Sequence, residues 1–448
     1  MPFRETKETL KLALPISLGS VSQILMGVVD SVMIGAVGTV PLAASAFAGG
    51  VFSFFYVTGL GLLMPIAVLV ARSSGTSGEG PRWLRHGMAI ALAAALVGTL
   101  AMLGLIPLLH LFGQPAEVLA EMQPFYTLFA LSLVPAMLYN GLKQYAEARN
   151  EPWVPMLLTL AGVLVNVVLN WILIFGHLGS PALGLTGAGI ATLIARWAVV
   201  LSLVVLLRRR YGAELNWPAD LKAWLAPLEK TRLFEMLRLG LPAAGQLLFE
   251  VCAFSASTVM MGWLGTEALA AHQIALSCCT LSFMFPLGLA MAVSIRMSRA
   301  LGDGDHASLR RIGFSAVALA CGAMTCSAVL YIFGGRQLAR LFVNDEAVIT
   351  LAASLFFVAA IFQLCDGIQV VCSGALRGLS DVKIPTLITG VAYWVIALPI
   401  SYFLGVRGIG PAGVWWGLAA GLGFASVTLG WKLLHRTAPM PLPASADV

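Results

Sequence analysis

The sequence predicts an all-α polytopic membrane protein, with twelve transmembrane helices in two six-helix lobes that are related by a parallel twofold repeat. The first observation is composition. Hydrophobic residues make up 59% of the 448 residues and charged residues only 11%, whereas soluble domains carry about 25% charged residues. The second is a mean hydropathy of +0.89 over the whole chain. The third is a similarity between the two halves of the sequence.

Twelve stretches are long and apolar enough to cross a bilayer, which needs about 20 mostly apolar residues. Leu, Ala and Gly run through all of them, without the alternating polarity of barrel strands, so helices are predicted. The predicted spans are 9–35, 43–70, 86–109, 122–146, 153–176, 185–207, 235–262, 268–298, 311–334, 348–374, 384–404 and 411–434.

The basic residues predict the orientation, because Lys and Arg accumulate in cytoplasmic loops. Arg336, Arg340 and Arg407 lie in loops on one side, and Arg196 lies inside the sixth span. The remaining basic residues lie at the termini, in the alternate loops or at the span ends that border those loops, all on the other side. The pattern therefore places both termini in the cytoplasm of a multi-pass protein of the plasma membrane, the bacterial inner membrane.

The halves on either side of a polar segment align without gaps. Pro15 pairs with Pro242, Gly61 with Gly288 and Arg72 with Arg299. We therefore predict an N-terminal lobe at 1–207, a cytoplasmic linker at 208–234 and a C-terminal lobe at 235–448. Six spans per lobe make the repeats parallel, an architecture that transporters use for alternating access. The paired prolines are either bend points or residues of a first helical turn.

Three carboxylates lie inside predicted spans, away from the span ends: Asp30 in the first, Glu250 in the seventh and Asp366 in the tenth. Each costs about 2.5–3.5 kcal/mol at a helix centre. One such acid is explained equally well by packing against a neighbouring helix. Three in a chain with so few charges favour a functional role, because intramembrane charges mark ion or substrate paths.

The neighbours of these acids extend them into polar stripes. Gln246, Glu250 and Ser257 share one helical face, as do Gln363, Asp366 and Ser373, and as do Gln23, Gly27 and Asp30. In the internal alignment Glu250 pairs with Gln23, and Asp30 pairs with Ser257. The acids of the two lobes therefore lie at different depths, about 10 Å apart along the helix axis.

The fifth and sixth spans carry further polar groups. Asn166 and Asn170 share a face and serve either as interhelical hydrogen-bonding groups or as oxygen ligands for a hard cation such as Na⁺ beside Asp30. Thr192 offers another oxygen. Arg196, one turn beyond Thr192, requires a counter-charge, for which pairing within the N-terminal half is preferred over a substrate role. His272 is interpreted as a packing or capping residue.

Motifs of catalysis are missing from the sequence. It contains no GxxxxGK[ST] loop that would hold ATP, and no HExxH or GxSxG motif. The chain is therefore not expected to be an enzyme or to need a cofactor. An ion gradient is the expected source of energy.

At these residues the sequence resembles the multidrug and toxic compound extrusion (MATE) family, and more closely its NorM branch. The resemblance is carried by "VVDSVMIG" from Val28, "LLFEVCAF" from Leu247, "LGTEALAAHQIAL" from Leu264, "FMFPLGLAMAVSIRMSRALG" from Phe283 and "CDGIQVVCSGALRGLSD" from Cys365. It implies a MATE/MOP-type fold and an antiporter that expels cationic, amphipathic drugs and dyes in exchange for H⁺ or Na⁺.

The resemblance also implies roles for individual residues. Asp30, Glu250 and Asp366 correspond to the cation-coupling acids, and Asp30, Asn166, Asn170 and Thr192 to a cation site of the N-terminal lobe. Na⁺ is possible there, but some relatives have an acid where Asn170 stands, so both ions stay open. Contacts with substrate are expected from Gln246, Glu250, Gln363 and Asp366.

The expected partners are small cationic drugs and the lipid bilayer, not nucleic acid, and the chain is expected to be a monomer. The main rival hypothesis is a lipid-linked oligosaccharide flippase of the same fold class. Such a flippase should present cationic groups to pyrophosphate, whereas the polar groups found here are mainly acidic. A passive channel and an intramembrane enzyme are further rivals.

Overall fold

The computed structural model of the chain describes residues 2–76, 78–113, 115–215 and 227–438. Within these ranges twelve helices are long and apolar enough to span a membrane. They are α1 (Arg4–Gly35), α2 (Thr39–Arg72), α3 (Glu79–Phe112), α4 (Glu117–Ala148), α5 (Trp153–Phe175), α6 (Gly184–Gly212), α7 (Lys230–Trp263), α8 (Thr266–Gly302), α9 (His306–Arg340), α10 (Glu346–Gly378), α11 (Lys383–Ile409) and α12 (Pro411–Arg436). The prediction of an all-α multi-pass membrane protein with twelve transmembrane helices is confirmed.

Most helices extend beyond the apolar segment that the sequence identifies. The predicted span 311–334, for example, lies inside α9, which begins at His306 and ends at Arg340. The Asp305 carboxylate caps α9 by accepting a hydrogen bond from the backbone N–H of Ser308. Such polar end residues continue a helix into the membrane interface, where hydropathy alone no longer detects it.

A proline removes a backbone hydrogen bond in α2, α4 and α11, and these helices are irregular there. In α2 one helical segment ends at Leu63 and the next begins at Pro65. In α4 the segments meet at Ser132, three residues before Pro135. In α11, on both sides of Pro399, the backbone widens into π-helical turns. Prolines and π-helical turns are both common causes of breaks and kinks in helices.

The paired prolines Pro15 and Pro242 lie inside α1 and α7, well beyond the first turn of each helix. The interpretation of these residues as first-turn prolines is therefore wrong. That they act as bend points stays a prediction.

Contacts along the chain group it into two compact units. Unit 1 comprises Met1–Ser17, Ala71–Gly75 and Phe249–Val448, and unit 2 comprises Leu18–Val70 and Thr76–Leu248. Helices α1 and α7 therefore contribute residues to both units. The lobe boundaries predicted at 207 and 235 stay predictions, and residues 216–226 of the predicted linker, with residues 439–448, lie outside the described residues.

In unit 1, α10 is the central helix and packs against α8, α9 and α12. One hydrophobic cluster surrounds the buried rings of Phe362, Tyr331 and Trp415. A second cluster gathers Leu289, Val371 and Leu429 together with residues of the first part of α1. The centre of α10 is consequently buried, which positions Asp366 in the interior of the unit.

In unit 2, α6 packs against α5 and against both segments of α4. This arrangement brings the polar faces of α5 and α6 together. Asn166, Asn170 and Thr192 are all fully or almost fully buried.

The internal repeat extends to close helix contacts. A Cβ atom added at Gly61 of α2 would lie 2.3 Å from Cα of Ala244 in α7, within unit 2. A Cβ atom at Gly288 of α8 would lie 2.9 Å from the backbone nitrogen of Ser17 in α1, within unit 1. Gly61 aligns with Gly288 and Ser17 with Ala244. Each unit therefore makes the same close approach, which only glycine permits.

Candidate functional site

A ring of hydrogen bonds surrounds Asp30 in unit 2. The Asn170 side-chain nitrogen donates to Oδ1 of Asp30 at 2.6 Å and to Oδ1 of Asn166 at 3.2 Å. The Thr192 hydroxyl donates to Oδ2 of Asp30 at 3.3 Å, and Asn166 Nδ2 donates to that hydroxyl at 3.4 Å. The structure thus brings together all four residues that the sequence assigned to one cation site.

The ring leaves one buried acceptor unused. Oδ1 of Asn170 has no hydrogen-bond partner among the described residues. Carboxylate, amide and hydroxyl oxygens are the ligands that hard cations prefer. The set of Asp30, Asn166, Asn170 and Thr192 therefore fits a small cation through its chemistry.

Arg196 lies one turn beyond Thr192 on α6. Its Nη1 donates to the hydroxyl of Ser132 at 2.6 Å and to the Ser132 carbonyl at 3.4 Å. The guanidinium carbon lies 4.6 Å from the ring centre of Phe52 and 5.1 Å from that of Phe129. These partners lie in the N-terminal half, as predicted, but they are a hydroxyl, a carbonyl and aromatic faces. No carboxylate among the described residues lies within ion-pair distance of Arg196. Asp30 nevertheless interacts with Arg196 electrostatically, so the counter-charge lies in the N-terminal half as predicted.

Unit 1 holds the other two acids. Glu250 lies on α7 and Asp366 on α10, and their carboxyl groups interact electrostatically. Oδ1 of Asp366 is buried without a hydrogen-bond partner among the described residues. Because two carboxylates repel each other when both are charged, this pair favours a proton or another cation in its vicinity.

Gln363 lies one turn before Asp366 on α10 and is completely buried. Its Nε2 donates to the Cys279 carbonyl of α8 at 3.0 Å, while its Oε1 lacks a partner among the described residues. Gln246, one turn before Glu250 on α7, is buried and belongs to unit 2. Of the four expected substrate contacts, the structure therefore collects Glu250, Gln363 and Asp366 in unit 1.

Two further polar residues of unit 1 interact with these acids, and sequence reasoning did not identify them as site residues. Arg377, at the end of α10, interacts electrostatically with Glu250. Tyr393 of α11 interacts with both Glu250 and Asp366, and its hydroxyl is buried without a partner among the described residues. Arg377 continues the stripe of Asp366 and Ser373 by one turn, a signal the sequence contains. Tyr393 stands in an apolar run and gives no such signal.

Aromatic rings form a group in the same unit. Phe254 packs edge-on against Phe362 at 6.0 Å and against Tyr393 at 5.9 Å, and Phe362 packs edge-on against Trp415 at 5.4 Å. His272 joins the group at 5.7 Å from Trp415, and its Nε2 lies 3.1 Å from the hydroxyl of Thr258. These contacts agree with the interpretation of His272 as a packing residue. Phe362, Tyr393 and Trp415 are fully or almost fully buried, so their rings pack the interior of the unit, whereas Phe254 is partly exposed.

Comparison with known proteins identifies similar chains over nearly the whole length. A family model described as MatE matches residues 15–172 and 242–403. The two segments begin at Pro15 and Pro242, which the internal alignment pairs. A probable multidrug resistance protein NorM from Agrobacterium fabrum is 33% identical over 435 residues, covering 95% of this chain and 93% of the relative. The corresponding protein from Rhodopseudomonas palustris is 36% identical over 442 residues, covering 96% and 92%.

Solved structures share the fold. A MATE transporter from Vibrio cholerae superposes with a TM-score of 0.88 at 21% sequence identity, and the match covers 97% of this chain and 97% of that one. At this identity the likeness supports the fold alone.

Proposed function

The chain belongs to the MATE family and is a multi-pass membrane protein of the multidrug efflux type, and from this premise we propose that it exports cationic, amphipathic drugs and dyes in exchange for H⁺ or Na⁺. The observation that carries the proposal is the pair of Glu250 and Asp366 in unit 1, with an unpartnered oxygen on Asp366. A lipophilic cation and a coupling ion both neutralise such a pair. The two therefore compete for the same negative charge.

Competition of this kind produces antiport. Binding of a drug cation lowers the affinity for the coupling ion, and the reverse holds by linkage. A coupling ion that enters from outside neutralises Glu250 or Asp366 and releases the drug outward by alternating access. Release of the ion inward restores the anionic site. The membrane potential contributes about 2.3 kcal/mol per charge per 100 mV.

The unpartnered polar groups have a place in this cycle. Gln363 Oε1 and the Tyr393 hydroxyl are buried without partners among the described residues, and unsatisfied buried groups are costly. A bound drug or a carried proton supplies the missing hydrogen bonds. The ring of Phe254, which is partly exposed and packs edge-on against Tyr393, contributes apolar and cation–π contacts that require no single substrate geometry, as a broad substrate range demands.

The Asp30 site is proposed as a second position for the coupling ion. Its oxygens fit Na⁺, and its carboxylate accepts a proton equally well in principle. We further propose a monomer without any cofactor in the bacterial inner membrane, with both termini cytoplasmic as the positions of Lys and Arg predict.

The rival flippase requires cations that face a pyrophosphate. In unit 1 Arg377 interacts electrostatically with Glu250, and Asp366 adds a second carboxylate beside Glu250, so two acids face one arginine and the charge balance of this site favours cationic substrates. This observation supports the efflux proposal over the flippase.

The decisive experiment reconstitutes the purified chain in proteoliposomes loaded with ethidium and imposes a pH gradient and a Na⁺ gradient separately. We expect one gradient, or both, to drive ethidium against its own concentration gradient. Dissipation of that gradient with an ionophore should stop the movement. Movement only down the ethidium gradient would identify a passive channel, and absence of movement under either gradient would contradict the proposed antiport.

A further inference from the structure

A cavity opens where the start of α5 meets the end of α6, within unit 2. Its volume is about 290 Å³, and it is lined by Glu151, Val154, Leu206, Leu207, Arg209 and Arg210. Three apolar side chains form its walls and three charged side chains its rim. None of Asp30, Glu250 and Asp366 lines the cavity, and the proposed transport cycle does not use it.

The rim of the cavity carries an excess of positive charge. Arg210 pairs with Glu151, with 2.8 Å between Nε and Oε1. Arg209 lines the cavity, and Arg208 precedes it on the lipid-side face of α6 without lining the cavity. Both are exposed, and neither forms an ion pair with a carboxylate of the described part of the chain. Arg149 adds a fourth cation nearby, with its guanidinium 4.9 Å from the ring centre of Tyr211. One carboxylate therefore faces several guanidinium groups.

Apolar side chains are exposed on the faces of α5 and α6 beside the cavity. On α5, Leu157 and Leu164 are 57% and 63% exposed and lie on one helical face with Trp153. On α6, Leu201 and Val205 are 57% and 47% exposed on one face with Arg208. In a membrane-spanning helix such faces contact acyl chains, while Trp and Arg at the helix end lie at the headgroup level. The helical faces that can contact acyl chains thus end at a cluster of guanidinium groups.

We propose that the cavity and the exposed faces of α5 and α6 beside it form a binding site for an anionic phospholipid. The headgroup phosphate lies at Arg208 and Arg209, and the acyl chains lie along the exposed faces of α5 and α6. Guanidinium groups bind phosphate through charge-assisted, often bidentate hydrogen bonds. Basic pockets between helices are a known form of lipid recognition. The occupant is a lipid and not free phosphate because the apolar faces add contacts that only an acyl chain can make.

The experiment measures lipid bound to the purified full chain by native mass spectrometry, with phosphatidylglycerol and phosphatidylcholine compared at equal concentration. Wild type should retain phosphatidylglycerol preferentially. Arg208→Gln and Arg209→Gln should each weaken that binding about fivefold, the effect of one basic residue near an anionic headgroup. Glu151→Gln should strengthen it, because the variant releases Arg210 from its ion pair.

A matched control is Arg336→Gln, which removes an exposed arginine near the end of α9 that pairs with Glu346. It should leave lipid binding unchanged. If Arg209→Gln weakens lipid binding and Glu151→Gln strengthens it, misfolding is excluded as the cause of the changes. Equal retention of phosphatidylcholine, unchanged binding in both arginine variants, or equally strong binding of glycerol phosphate without acyl chains would each overturn the proposal.

Discussion

At the scale of single residues, the acids of the two units have different surroundings. Asp30 accepts hydrogen bonds from Asn170 and Thr192 within a closed ring. Asp366 keeps an oxygen without a partner among the described residues. A carboxylate whose oxygens are bonded holds its charge in place, whereas one with a free oxygen can accept an incoming donor. Under the proposed antiport, this difference suits a retained coupling ion at Asp30 and an exchanging ligand at Asp366.

Replacing Asn170 tests the Asp30 site. Asn170→Leu removes both the 2.6 Å hydrogen bond to Asp30 and a candidate ligand oxygen. Na⁺ or added protons should raise the melting temperature of the wild type in detergent. In Asn170→Leu we expect the apparent affinity for the stabilising ion, measured by thermal unfolding at increasing ion concentration, to be lower by about tenfold or more. Asn140→Leu is the matched control, because Asn140 is a buried asparagine of unit 2 that bonds Tyr56 instead. Equal loss in both variants would show that the Asn170 effect is only structural.

Arg196 provides a test of stability. Arg196→Gln removes the stacking on Phe52 and Phe129, and we expect a loss of about 1–2 kcal/mol in the free energy of unfolding. Arg196→Lys keeps the charge but loses the planar contact with the rings, so the stability of this variant should lie between that of the wild type and that of Arg196→Gln. Chemical unfolding in detergent measures the difference. Wild-type stability in Arg196→Gln would contradict the role given to the aromatic contacts.

For single residues, the sequence predicted which side chains share a helical face, because this follows from their spacing along the helix. Asn166 and Asn170 share a face at one-turn spacing, and their meeting with Asp30 followed from the family resemblance. Tyr393 was not predicted because its approach to Glu250 depends on how α11 packs in unit 1. Likewise, the partners of Arg196 depend on the break in α4 at Ser132, which no apolar pattern reveals.

At the scale of elements, close contacts between helices depend on glycines. A Cβ atom at Gly374 of α10 would lie 2.4 Å from the backbone oxygen of Ala290 in α8. Backbone cannot move aside as a flexible side chain can. The tight packing of α8 on α10 therefore fixes the position of Asp366 on the buried face of α10.

Gly374→Ala should destabilise the protein by about 1–3 kcal/mol, the usual cost of overpacking. The control is Gly322→Ala in α9, where an added Cβ meets no atom within 4 Å. Melting temperatures from fluorescence-detected size-exclusion chromatography compare the two variants. The packing argument would fail if Gly374→Ala melted at the same temperature as Gly322→Ala.

The elements also show where sequence reasoning ends. Hydropathy located all twelve helices because a bilayer requires long apolar runs. It did not locate the irregular turns of α2, α4 and α11, since a proline in a membrane helix is compatible with continuation, a kink or a break. Which of these occurs depends on the neighbouring helices that replace the lost hydrogen bond.

At the scale of the whole molecule, the repeat gives two units with the same close contacts and different charges. The contacts of Gly61 and Gly288 repeat, but Glu250 pairs in the alignment with Gln23 and Asp30 with Ser257. Because the two units share an architecture but differ in their polar residues, they can bind different ligands. The units divide α1 and α7, since each of these helices contributes residues to both units, and the predicted lobe boundaries stay predictions.

The predicted orientation can be tested on the intact protein. A cysteine introduced at Arg4, in a variant without native cysteines, should react with a membrane-impermeant maleimide only after cells are opened. A cysteine at Asp345, between α9 and α10, should react in intact cells. The reverse pattern would place the termini outside and contradict the assignment from basic residues.

The account depends most on the carboxylate pair of unit 1, and gradient-driven ethidium transport by Glu250→Gln and Asp366→Asn in proteoliposomes tests it most directly. The control is Glu267→Gln, which neutralises an exposed acid at the start of α8. We predict at least a tenfold loss of coupled transport in both site variants, at normal expression, and wild-type transport in the control. Wild-type ethidium transport in both Glu250→Gln and Asp366→Asn would contradict the exchange of drug and coupling ion at this pair.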